Sequence, residues 1–345
     1  MAKPGIHEPL PASQWPTRPV SAVVASTGSH TPERVLTNAD LEKMVDTSDQ
    51  WITERTGMKE RRISAPGEAA SDIAIIACEK ALVEAKVKPE DLDLIIVATV
   101  TGDMPFPSTA CVLQHRLGAS HAAAFDVSAG CTGFIYALSI TRHLIAAGAF
   151  RTVLVVGVEL LSKITDWTDR STCVLFGDGA GAAVLRAEAD TDTGVLATYL
   201  AANGAGGEHL YMPAGGSRHP ATIETVQQRM HTCKMNGNAI FKIAVRSMAD
   251  AVRHLLRQTG MGLDDVKLLI PHQANLRIIE ATTKLLKFPS ERVFVNIAKY
   301  GNTSSATTII ALDEARRAGL VHAGDVVMLV AFGAGLTWGG VAIRF

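Results

Sequence analysis

The sequence predicts an α/β protein built from two similar halves. Three observations carry this: short runs that are apolar throughout, amphipathic helical patterns between them, and a repeat of that layout along the chain. Leu94 to Val100 (LIIVATV) and Val153 to Val158 (VLVVGV) show no polar alternation, so they read as strands buried on both faces under helices. Between them, Cys131 to Ala147 places Phe134, Ile135, Leu138, Leu144 and Ile145 at helical spacing. The layout returns later, with Leu268 to Ile270 a strand, Leu276 to Leu286 a helix, Val293 to Asn296 a strand, Ser305 to Ala318 a helix and Val326 to Ala331 a strand. Cys131 precedes Val153 by the same 22 residues by which Ser304 precedes Val326. Each half closes on a Gly-rich turn into a strand, FGDGAGAAVL from Phe176 and FGAGLTWGGVAI from Phe332. Residues 20–190 and 191–345 are then two halves whose loops meet at one site; an α/β chain without a true repeat is the alternative.

Between the halves, roughly 188–236, GAGG, AGGS and few long apolar runs read as loops and short hairpins, a cap over a pocket. Asn238 to Gln258 follows as an amphipathic helix (Phe241, Val245, Met248, Val252, Leu255), with Gly260 placed to stop it. At the other end, residues 1–19 carry Pro4, Pro9, Pro11, Pro16 and Pro19 but no apolar core of a signal peptide, and read as a loose tail.

Thirty-three Lys and Arg against 34 Asp and Glu give a net charge of −1, so no global field draws the chain to nucleic acid or an anionic membrane. Charged residues make up 19%, below the usual ~25%, which points to extensive buried surface including a subunit face. No apolar stretch approaches the ~18 residues needed to cross a bilayer. Five cysteines, an odd number without CxxC spacing, argue against a disulfide framework or a zinc site and for a reducing cytoplasm. One of them is a candidate nucleophile.

Cys131 follows the strand-like AAAFDV through Ser128, Ala129 and Gly130 and opens a helix, where unpaired N–H groups and the helix dipole favour thiolate. The competing reading is a buried small hydrophobe, which fits Cys78 and Cys111. His272, in PHQANLRI, ends a strand where α/β sites form, although ten other histidines weaken any single one. Asn302, in KYGNTSS, is locally a turn or N-cap asparagine. The three occupy equivalent strand-to-helix turns of the two units, and their convergence favours a site. A nucleophile with two neutral hydrogen-bond donors suits acyl transfer with a developing oxyanion or enolate; the set contains no carboxylate base.

DVSAGCTGF around Cys131, PHQANLRI around His272, KYGNTSSA around Asn302 and AFGAGLTWGG, with DQWITERTGMKERR earlier, resemble the β-ketoacyl-acyl-carrier-protein synthase III family of the thiolase superfamily, from about Val20 to Phe345. The resemblance implies a thiolase-like fold with a layered α-β-α-β-α core. It implies that Cys131 takes an acyl group from acyl-coenzyme A, and that decarboxylation of malonyl-acyl carrier protein yields the carbanion that attacks the acyl-cysteine, beginning fatty-acid synthesis. By the same resemblance His272 and Asn302 donate hydrogen bonds to the malonyl thioester oxygen. The Cys131 N–H and one from Gly333-Ala334 form the oxyanion hole, a backbone role that Ala334, replacing a frequent glycine, leaves intact.

Trp51, Arg55 and Arg170 match positions that hold coenzyme A, and Phe176, Asn238, Phe241 and Asn275 match positions along the pocket and its tunnel. Phe106 matches a residue that crosses a homodimer interface into the neighbour's pocket. Lys242, Arg277, Lys284 and Lys287 form a basic patch suited to an acidic carrier protein, with a solvated helix face as the competing reading; Arg277 belongs to the substrate path as well. Coenzyme A thioester is implied as substrate, with no metal and no resident cofactor.

Three rivals stand beside this reading. A papain-like protease also orders Cys, His, Asn, with a separation like the 141 residues from Cys131 to His272, but SAGCTGF does not match its C-G-[SA]-C-[WY]. A polyketide- or quinolone-type condensing enzyme shares the triad, and motifs separate it poorly. A non-enzymatic acyl-carrier-binding protein needs no triad.

Overall fold

In the computed structural model, which describes residues 20–345, the apolar runs pair into two sheets; the Pro-rich segment before Val20 lies outside the described residues. The first sheet contains β1 (Val20–His30), β2 (Leu94–Ala98), β3 (Ala123–Val127), β4 (Thr152–Leu160) and β5 (Asp178–Ala189), in the order β1-β5-β4-β2-β3. β2 runs parallel to β3 and β4, with Leu94 opposite Ala123 and Val153, and β5 returns antiparallel to β4 and β1. The second contains β6 (Gly194–Ala202), β7 (Leu268–Pro271), β8 (Val326–Gly333) and β9 (Thr337–Arg344), in the order β7-β8-β9-β6. There β7 is parallel to β8 and the other pairs are antiparallel. The longer helices are α1 (Asp49–Thr56), α2 (Ala70–Ala85), α3 (Thr109–Leu117), α4 (Gly133–Ala146), α5 (Gly237–Thr259), α6 (Leu276–Leu286) and α7 (Thr307–Arg317).

Side-chain alternation along β2 explains why its run has no polar position. Leu94, Ile96 and Ala98 enter one core with Phe134, Ile135 and Leu138 of α4, Ile309 and Leu312 of α7, and Leu329 and Val341 of the second sheet. Ile95 and Val97 enter another, under Ile73 and Ala77 of α2 and Leu113 of α3. On the far side, Met248 and Val252 of α5 and Ile278 and Leu286 of α6 cover Leu269, Met328 and Val330. Helices α4 and α7 are thus a middle layer shared by both sheets, and the stack is α-β-α-β-α. Fully burying each aliphatic side chain in such a layer contributes roughly 1.5–3 kcal/mol.

Local detail is duplicated too. A short 3-10 turn leads into each middle helix, Gly130–Thr132 before α4 and Ser304–Ala306 before α7. α5 stops at Gly260, as its sequence predicts, in the left-handed conformation at φ +70°. Among the described residues no helix is long and apolar enough to cross a membrane.

The structure corrects three expectations. Val293 to Asn296 is not a strand: Val293 makes a single parallel bridge to Leu269, and the Asn296 N–H turns to Gln273 Oε1 instead of a ladder partner. The cap region does contain a two-residue pair of strands, Leu210–Tyr211 with Lys234–Met235, but β6 inside it is a full edge strand whose apolar residues do not alternate strictly with polar ones. Cys131 does not open the α-helix; it lies in the 3-10 turn, and α4 starts at Gly133.

Candidate active site

Cys131, His272 and Asn302 line one cavity, together with Phe176, Phe241, Asn275 and Gly333. His272 directly follows β7, and its N–H donates to the Val330 carbonyl at 2.7 Å, pinning the turn to β8. Thr307 Oγ1, at the head of α7, lies 2.6 Å from His272 Nδ1 and 3.1 Å from the Ser304 carbonyl. The hydroxyl has one proton, so it donates either to that carbonyl, with Nδ1–H donating to Oγ1, or to Nδ1, with the imidazole hydrogen on Nε2. Burial pulls the His272 pKa down to about 3, so the ring is neutral. Asn302 behaves locally as the turn asparagine its sequence suggests: Oδ1 accepts from the Ser304 N–H at 2.8 Å, which leaves Nδ2 to donate to a ligand.

Cys131 is buried, and burial pushes its thiol up to about 12. Desolvation outweighs the helix-start effect expected from the sequence. Gly333 comes so close that a Cβ there would lie 2.5 Å from Cys131 N and 2.8 Å from Cys131 Cβ, so only glycine lets the two backbones meet. Gly130, at φ +53°, is pressed in the same way against Ala334. Ala334 itself is not at positive φ, which is why a methyl group is accommodated there.

The cavity opens to a mouth lined by Trp51, Arg55, Asn238, Phe241, Lys242, Asn275 and Arg277. Ser48 caps α1 by accepting from the Trp51 N–H, and the guanidinium groups of Arg55 and Arg170 lie 5.0 and 4.9 Å from the indole centroid. Asn275 caps α6 through Oδ1 and donates Nδ2 to the Arg55 carbonyl, joining α6 to α1. Arg277 lies over the Phe241 ring at 5.7 Å. On the other side of Cys131 is an apolar pocket lined by Leu161, Ile164, Phe176, Leu210, Met212 and Cys233. Lys242, Arg277, Lys284 and Lys287 are all exposed on α5 and α6 or at their ends. Phe106 lines neither cavity; it is 84% exposed on the loop after β2.

Two findings depart from the sequence reading. Cys111 is exposed, not buried, because α3 packs on the edge strand β3 and carries that thiol out past the sheet; Cys78 is buried as expected. A carboxylate also stands behind the triad. Glu159, at the end of β4, is fully buried and accepts from the Ser304 hydroxyl at 3.1 Å. Its one signal in the sequence is a lone acid inside the apolar run VLVVGVELL.

Residues 125–204 match the family profile of 3-oxoacyl-[acyl-carrier-protein (ACP)] synthase III, and residues 256–345 match that of its C-terminal part. A β-ketoacyl-[acyl-carrier-protein] synthase III of Caldanaerobacter subterraneus subsp. tengcongensis is 57% identical over 326 residues, 94% of this chain and 98% of the relative. The chain belongs to the β-ketoacyl-[acyl-carrier-protein] synthase III family. It is accordingly a condensing acyltransferase with the thiolase-like fold, and the peptidase reading falls away. Among solved structures, the synthase III of Aquifex aeolicus VF5 superposes with a TM-score of 0.87 at 48% identity, covering 94% of this chain and all of that one. The priming β-ketosynthase of the R1128 polyketide pathway gives a TM-score of 0.88 at 35% identity, covering 97% and 99%. Fold alone does not separate the two roles; the higher identity to synthases III favours fatty-acid synthesis.

Proposed function

We propose that this synthase III loads an acyl group, acetyl in the first instance, from acyl-coenzyme A onto Cys131 and condenses it with malonyl-acyl carrier protein, giving 3-oxoacyl-acyl carrier protein and carbon dioxide. The observation that carries this is the position of Cys131 at the junction of an open tunnel and an apolar pocket, with His272 and Asn302 on the same wall. Adenine enters at Trp51 by taking the place of one guanidinium on the indole, and the pantetheine arm passes Asn238, Phe241 and Asn275. As Cys131 Sγ attacks, the tetrahedral oxyanion accepts hydrogen bonds from the Cys131 N–H and an N–H of the Gly333-Ala334 turn. Coenzyme A leaves as a substrate fragment, not a resident cofactor.

In the second half-reaction the bond to the malonyl carboxylate breaks and its electron pair passes into the thioester as an enolate. In the tautomer with its hydrogen on Nε2, neutral His272 stabilises that charge together with the Nδ2–H of Asn302, and no base is needed. The enolate carbon then attacks the acyl-cysteine, and Cys131 sulfur departs. The basic patch of Lys242, Arg277, Lys284 and Lys287 receives the carrier protein beside the mouth.

The enzyme works as a cytoplasmic homodimer. β3 is an open sheet edge carrying the exposed Phe125, and Asp126 of that strand accepts from the Thr109 and Ala110 N–H groups, tying it to the loop that bears the exposed Met104 and Phe106. Pairing at this edge sends Phe106 into the neighbouring pocket, where it limits acyl-chain length. Incubation with acetyl-coenzyme A followed by peptide mass spectrometry tests the assignment: the acyl group is expected on Cys131 and not on the exposed Cys111. Full activity in Cys131→Ala, or a label elsewhere, refutes it.

A further inference from the structure

We propose that Glu159 is the proton acceptor for the Cys131 thiol, reached through the Ser304 hydroxyl; the inference rests on Cys131 being the acyl carrier. Burial pulls the His272 pKa down to about 3, so its imidazole is too weak a base to hold this proton near neutrality. Every hydrogen bond to the Glu159 carboxylate comes from a donor: the Val100 N–H at 3.1 Å, and the hydroxyls of Thr101 at 2.5 Å, Ser304 at 3.1 Å and Thr99 at 3.4 Å. These donors favour the ionised form, and burial opposes them and raises the pKa to about 7, where an acid exchanges protons readily at neutrality. The groups packed on Glu159 are Thr99, Val100 and Thr101 after β2 and Ser304 and Ser305 before α7, none of which titrates in this range; Cys131 is the titratable group facing it.

Ser304 links the two. Its N–H goes to Asn302 Oδ1 and its hydroxyl to Glu159 Oε1, and it shares with Cys131 the wall of the apolar pocket. A hydroxyl that donates to a carboxylate keeps lone pairs for an S–H. As Cys131 Sγ bonds to the thioester carbonyl carbon, its S–H proton passes to Ser304 Oγ while the Ser304 proton passes to Glu159 Oε1. Free thiolate never accumulates, which reconciles a high resting thiol pKa with nucleophilic attack. When the tetrahedral intermediate collapses, the carbon–sulfur bond to coenzyme A breaks. The same two transfers in reverse protonate the departing sulfur and leave Glu159 ionised.

The test separates the half-reactions. Single-turnover acylation by acetyl-coenzyme A is followed by intact-protein mass spectrometry from pH 5.5 to 9, and malonyl-acyl carrier protein decarboxylation is measured in parallel. The variants are Glu159→Gln, Glu159→Asp and Ser304→Gly; Ser304 lies at φ +49°, so glycine removes the hydroxyl without straining the turn. In the wild type, acylation is expected to rise through one ionisation near neutrality. Glu159→Gln and Ser304→Gly lose that ionisation and acylate roughly 10²- to 10⁴-fold more slowly, with decarboxylation largely kept. Glu159→Asp retains the ionisation. If Glu159→Gln fails to fold, Ser304→Gly carries the same comparison. Equal losses in both half-reactions, or an ionisation that survives in Glu159→Gln and Ser304→Gly, overturn the relay; a wild type with no acyl group on Cys131 overturns the functional reading instead.

Discussion

Replacing Glu159 by Gln changes how stability depends on pH, and the size of the change follows from where the carboxyl sits. The group is fully buried, and desolvation raises its pKa from 4.5 to about 7. The folded state therefore holds the proton more tightly than the unfolded state. Its contribution is fully present below about pH 4.5 and is lost as pH rises through 7, a total of about 3 kcal/mol at 1.36 kcal/mol per tenfold change. For a chain of this length that corresponds to about 4 °C in Tm. In Glu159→Gln the side chain stays neutral, so this slope is absent. The amide also brings a donor against Thr101, Val100 or Ser304, which lowers stability by an amount independent of pH. The difference in slope is thus the quantity to measure, by thermal unfolding of both proteins at fixed concentration from pH 4.5 to 8.5. The wild type is expected to lose about 4 °C more than the variant across that range. Parallel curves refute the reasoning, since they mean that Glu159 titrates alike folded and unfolded.

Three more outcomes follow from the site. Thr307→Val removes the hydroxyl 2.6 Å from His272 Nδ1 that orients the ring; decarboxylation of malonyl-acyl carrier protein should fall roughly 10²-fold while acylation of Cys131 is kept, with the altered Nδ1 environment visible in ¹⁵N spectra of the imidazole. Trp51→Ala should raise KM for acetyl-coenzyme A roughly tenfold with little change in kcat, as expected for a lost stacking surface of about 1–3 kcal/mol. Lys284→Glu combined with Lys287→Glu should raise KM for malonyl-acyl carrier protein and flatten its salt dependence, leaving the acyl-coenzyme A half-reaction unaffected.

What can be read in the sequence is what periodicity encodes. β2, β4 and β8 are buried on both faces and leave unbroken apolar runs, and α6 is legible to the residue because its apolar stripe begins after a capping asparagine. β6 is partly buried along most of its length, and Val195, Leu196, Tyr199 and Leu200 are spaced among Ala and Thr without strict alternation, so it leaves no clear strand signal. Cys131 and His272 are legible because each follows a strand and precedes a helix, whereas Asn302 follows the single helical turn Ile297–Tyr300 and is marked by its motif alone. Glu159 is not legible, because its meaning comes from donors as distant in the chain as Thr101, 58 residues away, and Ser304, 145 residues away. The protonation state of Cys131 is likewise invisible in a local motif: a turn's dipole is encoded nearby, whereas desolvation is produced by the whole packed layer.

The meeting of Gly333 with Cys131 has a consequence for the life of the chain. The strip around it joins segments 205 residues apart, as in the Thr132 hydroxyl donating to the Thr337 carbonyl. While only the first sheet has formed, Cys131 lacks the wall of its cavity that His272, Asn302 and Gly333 supply. If Cys131 carries the acyl group, as proposed above, the fold acts as an interlock: the site that loads the thiol is complete only when both sheets are in place.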